Sequence, residues 1–256
     1  MKIFFYTLTF VLTLFLPSCR KPTYPKEKLV LEAKKLLKKE GNLEGELKLV
    51  GKTMFLTVDI PKEEIITEDK KLLQKAIKRI EKASIIITRL ALSTDAEVEF
   101  LVTIAKVKNQ DFCIRIINYL QDIKDLIYMK ISRGDYEKRI VFEMLPYSKI
   151  AFQEIDFNEF IGRLVASNYN MFIRSNPFAG ALLSKTLLEF ERIENNEVIF
   201  LSINTDIDIP AVKLLFESLV REYFLDIKKR YKTYQNLPHT VVVIDKKGGH
   251  LAKIKN

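Results

Sequence analysis

The chain has 256 residues, a formal net charge of +9 at pH 7 and a hydrophobic fraction of 48%. This length suits one large domain or two small ones, and abundant charged residues with sparse glycine and proline exclude a low-complexity chain. Cys19 and Cys113 are the only cysteines, so the chain is not a disulfide scaffold.

The first 19 residues have the pattern of a bacterial lipoprotein signal. Lys2 supplies the positive end, and residues 3–16 form an apolar run with three threonines. This run is too short to cross a bilayer comfortably, which needs ~20 apolar residues, but it suits a signal peptide. It ends in Leu-Pro-Ser-Cys at 16–19, which resembles a lipobox, the site where lipoprotein precursors are lipidated on the cysteine and cleaved before it. We therefore predict a signal peptide over 1–18, a lipidated Cys19, and a tether over 19–24.

Two alternatives remain open for this segment, an ordinary signal peptide cleaved elsewhere and an uncleaved anchor helix. The absence of an A-x-A-like site after the run disfavours the first. Pro17 and the basic pair Arg20-Lys21 disfavour the second. We predict a membrane location through the lipid anchor, facing the periplasm or the cell exterior. Arg20, rather than Asp, follows the cysteine, which favours the outer membrane.

A first α+β unit is predicted over 25–120. Pro25 begins a helix that ends before Gly41, and alternating apolar residues over 46–60 indicate a β-hairpin with one buried face. A long helix over 68–92 follows, with acidic residues at its start. Two further strands are predicted within 98–116, which gives the order α-β-β-α-β-β.

The rest of the chain is predicted as a helical connector over 121–150 and a second α+β unit over 151–256. A capping box at Ser132 begins the second helix of the connector, which is predicted to run to about Met144. The second unit begins with a helix capped by Asp156 and continues with a hairpin within 188–202. A helix from Pro210 and a final hairpin complete the same order. The fold class is therefore α+β, with two αββαββ units that each pack a small sheet on two helices. The repeated order indicates a tandem duplication, with coincidence as the alternative.

The element order and the glycine turn within 48–56 resemble the BON domain, an α-β-β-α-β module that occurs singly or doubly in exported bacterial proteins. This resemblance implies a role in envelope integrity and contact with phospholipids. The second strand lacks the glycine of the BON pattern at 58–60. The whole chain, including 91–96 and 131–136, is more similar to a group of uncharacterised bacterial lipoproteins, which implies a location but no activity.

Few residues indicate catalysis. The segment 45–53 differs from a P-loop by one residue in its glycine spacing, and because it joins two strands we predict a hairpin turn there. His239 and His250 have no second ligand at metal-binding spacing, so we predict no metal site and no cofactor. Asp206 and Asp208 have the residue type for an acid and a base, although their position before a helix favours a capping role.

Positive charge is concentrated next to the predicted anchor. The residues predicted to contact the membrane surface are Arg20, Lys21, Lys26, Lys28, Lys34 and Lys35. A basic juxtamembrane helix can bind anionic headgroups, and the alternative is a solvated lysine-rich surface. Nucleic-acid binding is not expected of an exported chain.

These observations predict a lipid-anchored cell-envelope protein that acts as a non-catalytic binding or scaffolding module. Its predicted partners are the membrane and an envelope protein or lipid. One alternative is an envelope hydrolase with a carboxylate-based site, which leaves the question of enzyme activity open. The other is a lipid-binding carrier, which predicts an apolar cavity between the helix over 68–92 and its sheet. Cys113, among apolar neighbours, is expected to be a buried structural thiol.

Overall fold

The computed structural model describes residues 23–65, 67–183, 186–195, 197–202, 210–234, 237–244 and 250–255. The helices in these ranges are α1 (Leu29–Leu36), α2 (Lys62–Ile65), α3 (Lys70–Leu92), α4 (Leu120–Ile127), α5 (Arg133–Glu137), α6 (Phe157–Ser175), α7 (Pro177–Leu183) and α8 (Pro210–Arg230). The strands are β1 (Gly45–Val50), β2 (Thr53–Ile60), β3 (Phe100–Val107), β4 (Cys113–Tyr119), β5 (Val141–Leu145), β6 (Leu188–Glu194), β7 (Glu197–Ser202), β8 (Thr240–Ile244) and β9 (His250–Lys255). A 3-10 turn (Lys26–Lys28) precedes α1, and a π-helical turn (Leu37–Gly41) follows it.

The strands form two sheets with the same pairing pattern, which confirms the α+β class with two sheet units. The first sheet has the order β1-β2-β3-β4-β5, and the second has the order β6-β7-β8-β9. In each sheet an antiparallel hairpin is followed by a parallel pair and then by a second antiparallel hairpin. A long helix, α3 or α8, connects the strands of each parallel pair, as parallel pairing requires. This shared topology agrees with the element order on which the predicted duplication is based.

The segment predicted as a helical connector is helical only in its first part. After α4 and α5, the chain forms β5, which pairs antiparallel with β4 at the edge of the first sheet. The helix that was predicted from Ser132 to Met144 therefore ends at Glu137, and a strand replaces its second part. Contacts with distant residues favour a strand over a helix here. Val141 is fully buried, and the amide of Phe142 donates to Ser167 Oγ on α6 at 2.9 Å.

The first sheet is covered on both faces. One face packs against α1 and α3, with Leu29, Met54 and Ile87 in this core. The other face packs against α6 and shares a core with the second sheet and α8. The central strand β2 is therefore buried on both sides, which corrects the prediction of a hairpin with a single buried face.

An aromatic cluster joins the two units. Its members are Phe100, Tyr119, Phe157, Phe160, Tyr231 and Tyr234. Beside it, the buried carboxylate of Asp122 accepts hydrogen bonds from Arg139 Nη1 at 2.8 Å and from the Tyr231 hydroxyl at 2.5 Å. Asp122 lies on α4 in the segment between the units and Tyr231 lies in the second unit, so these contacts fix α4 to the second unit.

Candidate functional site

An open apolar groove lies beside the long helix α3 and has a volume of about 940 Å³. One wall is α3 from Ile80 to Leu92, and the opposite wall is formed by α4 and α5. The side chains of Ile116 and Asn118 on β4 also line it, together with Met171 of α6. At a rise of 1.5 Å per residue, the α3 wall is about 18 Å long.

The groove exists because α3 and α4 carry more apolar surface than the sheet covers. On α3, Ile80 and Ile87 are buried against the sheet, whereas Ile85 is 58% exposed. On α4, Ile123 is buried, and Ile127, one turn later, is 54% exposed. Contiguous apolar surface of this kind on a folded protein is typical of a binding site, whereas single exposed apolar residues are ordinary.

Several polar side chains of the groove are engaged in internal contacts. Arg89 pairs with Glu40 at 2.5 Å, and Arg133 pairs with Glu137 at 3.0 Å. The Tyr136 hydroxyl donates to Asn118 Oδ1 at 2.8 Å, and burial together with the nearby Asp122 charge raises the pKa of Tyr136 to about 12. The groove therefore presents a mainly apolar surface on which Arg89, Arg133 and Glu137 are paired, and Glu81 forms no ion pair within the described ranges. Such a surface suits an elongated apolar ligand.

Two other clefts are lined by charged residues, several of which pair with each other. A cleft of about 460 Å³ between β5, α6 and β6 contains Arg115, Glu143 and Arg163. The Glu143 carboxylate accepts a hydrogen bond from Arg115 Nε at 2.6 Å and another from Arg163 Nη1 at 3.1 Å, so both of its oxygens are engaged. A cleft of about 740 Å³ near the start of β1 contains Lys108, which pairs with Glu44 at 2.9 Å. Glu143 and Glu44 are therefore engaged in ion pairs, whereas Glu46 and Asp59 line the second of these clefts without an ion pair to the part of the chain that the structure describes.

Of the sequence candidates for catalysis, His239 alone has its side chain in the described part of the chain. Asp206 and Asp208 lie outside the described residues, as does the side chain of His250. His239 is exposed just before β8, as expected for a loop histidine. The P-loop-like segment forms the predicted hairpin between β1 and β2.

The residues predicted to contact the membrane surface divide into two sets. Cys19, Arg20 and Lys21 lie outside the described residues, as does the predicted signal peptide. The remaining four are exposed, and they are Lys26, Lys28, Lys34 and Lys35. Lys35 pairs with Glu32 at 2.8 Å, one turn earlier in the same helix.

The groove residues were not singled out from the sequence. The long helix over 68–92 was predicted, but its residues Ile85 and Leu92 were not assigned to a binding surface. A signal existed in the run Ile127-Tyr128-Met129, where three consecutive apolar residues follow an amphipathic helix and all are exposed. Such a run is unusual in a surface segment and could have indicated a binding surface.

None of the helices in the described ranges is both long enough and apolar enough to span a membrane. Within the same ranges, no group of three or more His, Cys, Asp and Glu side chains could hold a metal ion. The chain matches no protein-family model, no curated protein and no solved structure. The resemblances to BON domains and to the lipoprotein group therefore stay predictions, and the groove is the feature from which a function can be argued.

Proposed function

We propose that the protein is a lipid-anchored, non-catalytic binding module of the cell envelope that binds an acyl chain in the groove between α3 and α4. The groove is the single observation that carries this proposal. It lies beside the long helix α3, with α4 and α5 as its other wall and β4 side chains between them, whereas the lipid-carrier alternative predicted a cavity between that helix and its sheet.

The dimensions of the groove suit an acyl chain. Its volume of about 940 Å³ is within the ~300–1,000 Å³ of small-molecule sites. Its α3 wall is about 18 Å long, and an acyl chain in one leaflet spans about 15 Å, half of the ~30 Å hydrocarbon core. Burial of an acyl chain there removes both the ligand and side chains such as Ile85 from water, which is favourable for both surfaces.

The start of the described chain lies close to one end of the groove. The amide of Tyr24 donates to the Ser93 carbonyl at 3.1 Å, directly after Leu92 at the groove end. Cys19 precedes Tyr24 by five positions, and this segment spans at most about 18 Å when extended. A protein anchored through Cys19 would therefore hold this groove near the leaflet that supplies its ligand.

Lipidation is tested by fatty-acid labelling in a bacterial host. We expect Cys19→Ser to abolish incorporation of a clickable fatty acid, because a hydroxyl cannot replace the thiol that forms the thioether. Cys113→Ser is the matched control and should retain the label, since Cys113 is buried in the fold. Unchanged labelling of the Cys19→Ser protein would contradict the anchor.

Ligand binding is tested with the full-length protein reconstituted in vesicles that contain a phospholipid with a photoreactive acyl chain. We expect adducts on α3 and α4, and we expect Ile85→Glu and Ile127→Glu each to reduce them about tenfold, since burial of an isoleucine contributes ~1.5–3 kcal/mol. Ile77→Glu is the matched control, because Ile77 is 46% exposed on the same helix but does not line the groove. Adducts that are spread evenly over the surface, or unaffected by Ile85→Glu, would refute acyl-chain binding there.

A further inference from the structure

The outward face of α1 combines positive charge with exposed apolar side chains. Leu29, Ala33 and Leu37 form the buried stripe of this helical segment. At 3.6 residues per turn, Leu31 lies roughly opposite that stripe and is 54% exposed. Lys34, Lys35 and Lys38 follow Leu31 at spacings of three, four and seven residues and therefore share its face.

The positive charge of this face is only partly compensated inside the protein. Two acidic residues of the segment have partners, Glu32 with Lys35 and Glu40 with Arg89. Lys34 and Lys38 form no ion pair with the part of the chain that the structure describes, and both are exposed. The basic face, defined as Leu31, Lys34, Lys35 and Lys38, therefore presents unneutralised cations around an exposed leucine.

The basic face also lies next to the point where the chain leads toward its proposed anchor. Tyr24 is held against Ser93, and the amide of Lys26 donates to Asp95 Oδ1 at 2.7 Å. Arg89 of α3 approaches the Tyr24 hydroxyl at 3.5 Å. These contacts fix the start of the helical segment to the body of the protein, so a tether at Cys19 keeps α1 close to the membrane.

We propose that the basic face of α1 docks on a leaflet containing anionic phospholipids, with its lysines at the phosphates and with Leu31 and Val30 at the boundary of the acyl region. Charge complementarity favours this partner, because flexible lysine stems can reach headgroups while exposed apolar side chains enter the interface. Val30, which is 60% exposed, lies beside Leu31 and adds to the inserted surface. The docking is independent of ligand binding in the groove.

The test measures the depth of single positions in the reconstituted full-length protein. A fluorescent dye is attached to a cysteine introduced by Leu31→Cys, in vesicles that carry a lipid-borne nitroxide quencher. We expect strong quenching in vesicles of three parts phosphatidylcholine to one part phosphatidylglycerol, and weak quenching in pure phosphatidylcholine. Lys34→Glu combined with Lys38→Glu should lower the docked-to-undocked ratio at least about 25-fold, since each cation near an anionic surface contributes roughly fivefold.

The second unit provides matched controls on α8. Leu214 is 67% exposed on that helix, and a dye introduced by Leu214→Cys should stay unquenched. Lys213→Glu combined with Lys229→Glu changes the net charge by the same amount and should leave quenching at position 31 unaltered. Equal quenching at positions 31 and 214, or quenching that does not depend on anionic lipid, would overturn the proposal. Loss of photolabel from the groove with docking retained would refute only the proposed function.

Discussion

The thiol of Cys113 illustrates how burial sets the chemistry of one residue. It lies on β4 without solvent exposure, and burial raises its pKa from 9.0 to about 11. Only about one thiol in a thousand is then ionised at pH 8, because each pKa unit is a factor of ten, and the thiolate is the reactive form. We expect Cys113 to resist Ellman's reagent in the native protein at pH 8 and to react fully in denaturant.

The control for this expectation is a cysteine introduced by Leu214→Cys, which is exposed and should react in the native protein. The same pKa shift has a consequence for stability. The folded pKa lies above the unfolded value, so the stability from keeping this thiol neutral is fully present below pH 9 and is lost as the pH rises through about 11. Rapid native reaction at Cys113 would show that β4 opens locally at this residue.

The helix α6 packs closely against the second sheet because Gly162 has no side chain at the contact. A Cβ atom built on Gly162 would lie 2.6 Å from the Phe190 ring and 2.9 Å from Val198 Cγ1. Alanine normally stabilises a helix relative to glycine by ~1 kcal/mol, but here the added methyl would force the ring and the strand apart. We expect Gly162→Ala to lower the free energy of unfolding by about 1–3 kcal/mol, measured by urea denaturation.

Gly134 in α5 provides the comparison for Gly162. A Cβ atom there would have its nearest neighbour at 4.0 Å, the Ser132 hydroxyl oxygen. Gly134→Ala should therefore be neutral or stabilising by up to ~1 kcal/mol. A stabilising effect at both glycines would mean that α6 and the second sheet separate easily.

Local signals in the sequence predicted the helix starts well. Ser132 and Asp156 were predicted as caps, and Asp69 belongs to the acidic start that was predicted for the long helix. Each of these side chains accepts a hydrogen bond from a backbone amide in the first turn of its helix. Such caps depend on neighbouring residues alone. The strand β5 was missed because its formation depends on β4 and α6, which are distant in sequence.

At the scale of the whole molecule, the sequence predicted two sheet units but not how they combine. Alternating apolar residues in β2 indicated one buried face, and the second face is buried because α6 packs there. The groove was anticipated only as a consequence of the lipid-carrier alternative, since its second wall depends on where α4 and α5 dock. Docking of this kind follows from long-range contacts such as Asp122 with Tyr231, which no local pattern encodes.

The shared core leads us to expect that the two units unfold together. Phe160 on α6 is fully buried, with its ring 5.4 Å from Phe100 of the first unit and 6.0 Å from Tyr231 of the second. Phe160→Ala should lower the free energy of unfolding by about 3–5 kcal/mol, because it leaves a cavity between the units. Hydrogen exchange should then accelerate for amides in both β2 and β8.

The matched substitution is Phe178→Ala on α7, where the ring is 73% exposed and little destabilisation is expected. If Phe160→Ala accelerates exchange in one sheet only, or if urea denaturation of the native protein shows two transitions, the units fold separately. We expect a single unfolding transition, because unfolding of one unit alone would expose the apolar face that it covers on the other. The same coupling would keep the groove and the basic face of α1 in a fixed relation while the protein is held at a membrane.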